Sequence, residues 1–242
     1  AAVRDFCDRA GVAKAQSECD ISYFEAVVRE YLNARAPRAM AVVDPLKLTI
    51  TNYEGSEEVD FEINQLDPAA GSRRVTFGKH LYIERADFSL DPPPKYHRLK
   101  IGGVARLKNA YIVRCNEAVT DKEGNVTEIL CTYLPESRSG HDTSGVKAKG
   151  VLHWVNADTC ADAVLKQYDH LLRDADYAGQ DFSERMNLDS EHIFAAKAEP
   201  CLAEAAEGSA FQLMRTGYYK VCRDGGKLCL SEIVSLKDNF NK

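Results

Sequence analysis

Apolar positions along the first 35 residues recur at helical spacing. Val3, Phe6 and Ala10 share one face of a first helix, and Gly11 supplies its stop. A second helix is expected from Ser22, where Glu25 three places on completes a capping box. Phe24, Val27, Val28, Tyr31 and Leu32 form its apolar face. It must end before Pro37, because the residue preceding a proline is pushed out of the helical region. From Met40 the period changes to two. Residues 46–50 and 59–63 alternate as strands with a turn over 52–56 between them, and two short strands are expected around Gly78 within 75–83. Asp91, Pro92, Pro93 and Pro94 then break any pairing and mark a boundary. Beyond it, strands are expected at 96–101, 105–118 and 126–133, the last two joined by a hairpin turn over 121–125. A loop rich in Ser, Gly and Asp covers 135–145, and another strand 150–155. Residues 158–173 fit either a helix, by their alanines, or a strand, by the alternation of Val164, Tyr168 and Leu172. Strands return at 210–215, 218–223 and 228–236, with Gly225 and Gly226 as a turn. The pattern is mainly β, barrels or a sandwich behind a helical leader.

Composition narrows the class without choosing a function. A chain of 242 residues can bury a real core in one to three domains, and a charged fraction of 28% is ordinary for a globular protein. No apolar run is long enough to cross a bilayer, and no signal peptide opens the chain. The cysteines, at 7, 19, 115, 131, 160, 201, 222 and 229, show no CxxC and no paired metal-ligand spacing. They read as reduced thiols of a cytosolic protein, with Cys115, Cys131 and Cys229 inside apolar runs as small hydrophobes. The first residue is not Met, which fits an excised piece of something larger.

Charge changes the picture. The net charge is −6, yet residues 92–116 hold Lys95, Arg98, Lys100, Arg106, Lys108 and Arg114 with Tyr96, His97 and Tyr111, and no Asp or Glu. Lys and Arg attract phosphates, while aromatic rings and guanidinium planes stack on unpaired bases; the plainer alternative is a solvated basic hairpin. In the strand after Gly102 and Gly103, Arg106 and Lys108 point one way and Leu107 and Tyr111 the other. A two-residue turn there would pair Leu99 with Arg106. A three-residue turn or a bulge would pair Lys100 with Arg106 and gather Tyr96, Arg98 and Lys100 beside it, which is the arrangement expected. Enzymatic motifs are absent: no GxGxxG, P-loop, HExxH or GxSxG. His153, beside Trp154 in an alternating strand, reads as a packed residue rather than a base, and no carboxylate pair stands out. A Cys or His catalytic centre stays open as an alternative that a reactive low-pKa thiol would reveal.

The segments 36–45 (APRAMAVVDP), 96–99 (YHRL), 104–111 (VARLKNAY) and 149–155 (KGVLHWV) strongly resemble the C-terminal half of glutaminyl-tRNA synthetases in order and spacing, over nearly the whole chain. The glutamyl-tRNA synthetases of archaeal and eukaryotic type resemble it less, and a stand-alone RNA-binding protein like ribosomal protein L25 is a further alternative. The resemblance implies a mainly β fold: a short helical subdomain (1–36) followed by two β-barrels of the ribosomal protein L25 type, the distal one (95–173) inserted in the proximal one (37–94 plus 174–242). It implies that the barrels grip the anticodon loop of tRNA(Gln), with neither DNA nor a membrane as partner, in the cytoplasm. Carried over by position, Arg38 and Gln212 serve the middle anticodon base, with Arg215 a nearby basic position. Arg98 serves the third base with Lys95 and His97 beside it, and Arg106 and Lys108 lie near the first. Lys108 stands where relatives often have arginine, Met214 where some have an acidic residue, and the loop 64–68 (NQLDP) departs from the family pattern. The HIGH-like and KMSKS-like ATP-binding motifs belong to an N-terminal catalytic domain, a further expected partner, and have no counterpart in this chain. The implied chain carries no metal, no catalytic residue and no cofactor, and binds tRNA without charging it.

Overall fold

The computed structural model describes residues 1–11, 19–172 and 181–237. Helix α1 (Ala2–Ala10) ends at Gly11, whose φ of 75° a glycine adopts without strain. Helix α2 (Ile21–Asn33) is capped by Asp20, whose carboxylate accepts from the Ser22 N–H at 2.8 Å. The start expected at Ser22 therefore moves back: Asp20 satisfies the free N–H itself, and Ser22 is already helical. Phe6 packs edge-on against Phe24 at 5.1 Å, and Arg9 pairs with Glu30 at 2.7 Å, so α1 rides on α2. Helix α2 is in turn fixed to the β body by Val28 and Leu32 against Ala36, Tyr218 and Val234, and by Arg29 Nε donating to the Ser235 carbonyl at 2.8 Å.

The strands follow as β1 (Arg38–Ala39), β2 (Ala41–Val43), β3 (Pro45–Ile50), β4 (Ser56–Glu62), β5 (Ser72–Gly78) and β6 (His80–Glu84). Next come β7 (Val104–Leu107), β8 (Ile112–Thr120), β9 (Val126–Tyr133), β10 (Val151–Leu152), β11 (Val155–Asn156) and β12 (Ala161–Tyr168). After β13 (Glu191–Ala198) and the short helix α3 (Pro200–Glu204), the described part closes with β14 (Ala210–Leu213), β15 (Gly217–Asp224) and β16 (Lys227–Ser235). They form a first sheet ordered β1-β14-β15-β16-β12-β13-β2, a second ordered β10-β7-β8-β9-β3-β6-β11, and the hairpin β4-β5. In each large sheet the two edge strands are neighbours in sequence: only Met40 separates β1 from β2, and only His153 and Trp154 separate β10 from β11. Edges tethered so closely force each sheet to curl back on itself, as expected of barrels.

The two cores meet along residues 39–42. Ala39 and Ala41 face the first core, while Met40 and Val42 face the second, the two-residue alternation of a strand shared between two interiors. Trp154 is fully buried in the second core, edge-on to Phe77 of the β4-β5 hairpin at 5.2 Å.

Several expectations change. The second sheet draws on residues 45–156 and the first on 38–43 and 161–235, so strand pairing divides the chain at residue 44 and at 157–160, not at 94 and 173. The proline run breaks pairing locally, but β3 and β6 before it pair with strands after it: β3 runs parallel to β9, and β6 antiparallel to β11. The expected boundary residue 173 lies outside the described residues. Within the ambiguous stretch, residues 161–168 form strand β12, which pairs with β13 and β16 in the first sheet. Residues 96–101 form no strand; Leu99 makes an isolated bridge with Phe88, and β7 pairs with β8 and β10 instead. The Lys100–Arg106 pairing is therefore absent, because Gly102 and Gly103 bond across to Cys115. The expected strand 105–118 is split by a turn at Asn109 (φ 57°), leaving β7 and β8 as separate strands.

Candidate nucleic-acid interface

Arg38 lies on β1, directly across from Gln212 of β14 in parallel register. Its guanidinium donates from Nε to Gln212 Oε1 at 2.7 Å, from Nη1 to Asn64 Oδ1 at 3.1 Å and from Nη2 to Asn33 Oδ1 at 3.2 Å. The acceptors come from the end of α2, the loop after β4 and the β14 strand. Asn64, itself buried, is oriented by its own donation to the Asn33 and Ala36 carbonyls, at 3.4 Å each. All three partners of Arg38 are neutral amides, so its positive charge is oriented but not cancelled. Arg38 opens onto a cavity of about 320 Å³ also lined by Lys108, Asn109, Met214, Gln65, Asp60 and Glu62. Among the described residues Arg38 makes no ion pair, although those two carboxylates share the cavity wall.

Arg98 and Arg215 meet on a different group. Asp87, at the end of the short turn after β6, is wholly buried. Arg215 grips it with both Nη atoms, at 2.7 and 2.8 Å, and Arg98 Nε approaches the same carboxylate at 3.3 Å. Arg98 Nη1 also donates to the Ala86 carbonyl at 2.9 Å. Arg215 sits at φ 70°, a conformation a non-glycine residue adopts at some cost. His153 closes the cluster: Nδ1 faces Arg215 Nη1 at 3.2 Å, and Nε2 lies 3.1 Å from the Ala41 carbonyl and 3.4 Å from Glu84. Nδ1 facing a guanidinium N–H is an acceptor, which places the ring proton on Nε2. Burial works to raise the Glu84 pKa, but the His153 hydrogen bond and the charges of Arg215 and Arg98 outweigh it and hold the carboxyl below its usual range. Glu84, Asp87 and His153 bring donor atoms within 4.8 Å of one another, but Arg215 occupies both Asp87 oxygens, so the trio reads as an ion network rather than a cation site. Met214 lines the Arg38 cavity, while the next residue, Arg215, reaches Asp87; the β14–β15 turn thus divides two neighbouring sites.

The remaining candidates flank β10. A Cβ on Gly150 would collide with the His97 carbonyl oxygen, so only glycine lets the 97–98 segment lie against this strand. On its other side Gly150 accepts from the Arg106 N–H at 2.9 Å, placing His97 and Arg106 on opposite flanks of one residue. Arg106 is engaged by the Asp142 carboxylate and by the Ser137 carbonyl at 2.6 Å. Lys95 and His97 are exposed, Lys95 at φ 65°.

The structure therefore brings Arg38 and Lys108 to one cavity, with Gln212 bonded to Arg38, and Arg98 and Arg215 to one carboxylate, with His97 and Arg106 beside β10. His153 is packed in the core, as its strand context indicates. Sequence reasoning passed over Asn33, Asn64, Asp87 and Asp142 as participants. Asn64 stands in the loop already noted as unusual, but nothing local separates Asp87 from any other carboxylate. Among the thiols, burial pushes Cys160 up and raises Cys201 and Cys229 to about 12, while the hydrogen bond with Cys131 lowers buried Cys115.

Comparison with known proteins gives a consistent result. Residues 36–134 and 151–222 match two family models, each described as the anti-codon binding domain of class I (E and Q) tRNA synthetases. A glutamine–tRNA ligase of Rhodopirellula baltica is 46% identical over 99% of this chain and 41% of its own length. The enzyme of Clostridium perfringens is 45% identical over 98% of the chain and 44% of its own length. That of Nitrobacter hamburgensis is 40% identical over 100% of the chain and 44% of its own length. The chain thus spans about two fifths of the length of the curated relatives it matches.

Proposed function

Since the chain belongs to the anticodon-binding domain family of class I (E and Q) tRNA synthetases, we propose that it grips the anticodon loop of tRNA(Gln) on behalf of a glutamine–tRNA ligase. The meeting of Arg38 and Lys108 at one cavity, with Gln212 holding the Arg38 guanidinium, carries this reading, because they come from distant parts of the chain and no catalytic role requires them together. In this reading the middle base enters the Arg38 cavity, where a guanidinium held only by neutral amides meets base acceptors at full charge. The third base meets Arg98, with Lys95 and His97 on its flank. The first base and its phosphate meet Arg106 after Asp142 has been displaced, and Lys108 serves the rim of the middle-base cavity. Charging the tRNA with ATP and glutamine falls to a catalytic domain of the parent, and the chain itself needs no cofactor. Its place of work is the cytoplasm.

Filter binding of the chain to tRNA(Gln) and to transcripts altered at each anticodon base tests the proposal. Tighter binding to the unaltered tRNA supports it, and equal binding to all of them defeats it. Stronger binding to tRNA(Glu) would assign the chain to a glutamyl parent.

A further inference from the structure

We propose that Asp87 is a positioning residue for base recognition: its carboxylate holds the Arg98 fork in a reading pose while Arg215, from the other sheet, cancels its charge. The inference rests on the anticodon reading above and assigns a residue that touches no RNA.

The 95–100 segment is held by contacts outside any sheet. It carries Arg98 but belongs to no strand, so the lattice that fixes a strand side chain is missing. What holds it is the turn at 85–87. The Leu99 N–H donates to the Asp87 carbonyl at 2.9 Å and the Ser89 N–H to the Leu99 carbonyl at 3.1 Å. The Tyr96 hydroxyl donates to the Ala86 carbonyl at 3.3 Å. Onto this backbone anchor the Asp87 carboxylate adds the Arg98 Nε contact and the Ala86 carbonyl the Nη1 contact. Arg98 Nη2 keeps no protein acceptor among the described residues, and the side chain remains 44% exposed. A guanidinium fixed through Nε and Nη1, with Nη2 facing outward, presents its remaining N–H donors to a base acceptor without searching rotamers.

An unaccompanied carboxylate beside an RNA would repel it. Arg215 removes that penalty by taking both oxygens, and it reaches them from the β14–β15 turn of the first sheet, whereas Arg98 belongs to the insertion. The three residues therefore also tie the two sheets at the point where the RNA would lie. A buried ion pair is weak evidence of a stabilising role, so orientation is the better account of a wholly buried Asp shared by two arginines.

The test is a double-mutant cycle on the 242-residue chain, with hairpin RNAs carrying either the tRNA(Gln) anticodon loop or the same loop changed at the third base. Asp87→Asn keeps the shape and removes the charge. It is expected to weaken binding of the matching hairpin about tenfold, the scale of one bidentate base contact, and to leave the changed hairpin nearly untouched. In an Arg98→Ala background the same substitution should cost less than about twofold, because the group it positions is gone. An equal loss in both backgrounds, or on both hairpins, overturns the proposal by marking Asp87 as merely structural. Should Asp87→Asn not fold, as judged by its melting curve, Arg98→Lys decides instead: an ammonium cannot hold Asp87 and offer a fork together. Binding near that of Arg98→Ala supports the proposal, and wild-type binding by Arg98→Lys overturns it. If the wild-type chain fails to distinguish the two hairpins, the anticodon reading has failed, separately from the role of Asp87.

Discussion

The cavity at Arg38 and the cluster at Asp87 lie on either side of one turn, yet they treat their arginines in opposite ways. Arg38 is held by three side-chain amides, which orient a cation without neutralising it. Arg98 and Arg215 share a buried carboxylate, with Glu84 close by, which orients both and offsets part of their charge. Orientation is common to both, and residual charge is what differs. The first arrangement suits strong, charge-assisted contact; the second suits geometric discrimination at lower net attraction.

The largest effect is expected where residual charge is greatest. Arg38→Ala should cost about 3 kcal/mol in binding the matching tRNA, the upper end for a bidentate base contact, and should relax preference at the middle anticodon base. Filter binding with middle-base variants measures both. Arg98→Ala should cost about 1–2 kcal/mol and relax preference at the third base only. If the two substitutions prove interchangeable in base preference, the division of labour is wrong. Lys122→Ala, in the exposed turn between β8 and β9, is the control and should change nothing measurable.

Acid separates the two regions in another way. The Glu84 pKa is lowered in the folded chain, so its contribution to stability is present above the unfolded carboxyl value of about 4.3 and is lost as pH falls through the lower folded value. Thermal melts across this range should fall less steeply for Glu84→Gln than for the wild type. Asn33→Ala and Asn64→Ala, which alter amide acceptors that do not titrate, should leave the pH slope unchanged. The smallest effect concerns Arg106. Asp142→Asn should tighten RNA binding about two- to fivefold by releasing a cation from an exposed pair. The salt dependence of binding should steepen with it, toward one further increment of about −0.7 in the log–log slope per phosphate engaged.

Much of the fold is legible locally. The α2 face, the strands around Gly78, and the strands on either side of Gly225 and Gly226 all follow from periodicity and turn residues. Pairing is less legible. Residues 96–101 alternate like a strand yet bond mainly to the turn at 85–89, because β10, arriving from some 45 residues later, takes the edge of β7. Strand β13 escaped notice because Ile193 and Phe194 are exposed, which blurs the alternation that a half-buried strand displays.

Among the site residues, the chain alone determines which cations are available. Arg38, Lys95, His97, Arg98, Arg106, Lys108 and Arg215, with the amide of Gln212, are named by the order and spacing of the resemblance, which preserves residue type and position. The acceptors that aim those cations, Asn33, Asn64, Asp87 and Asp142, were decided by tertiary structure. They reach their partners across separations of 5 to 128 residues, and such meetings depend on how two curled sheets pack rather than on local sequence. Charge can be read along a chain, whereas the direction and neutralisation of that charge belong to the folded assembly, where a single buried oxygen can serve two arginines.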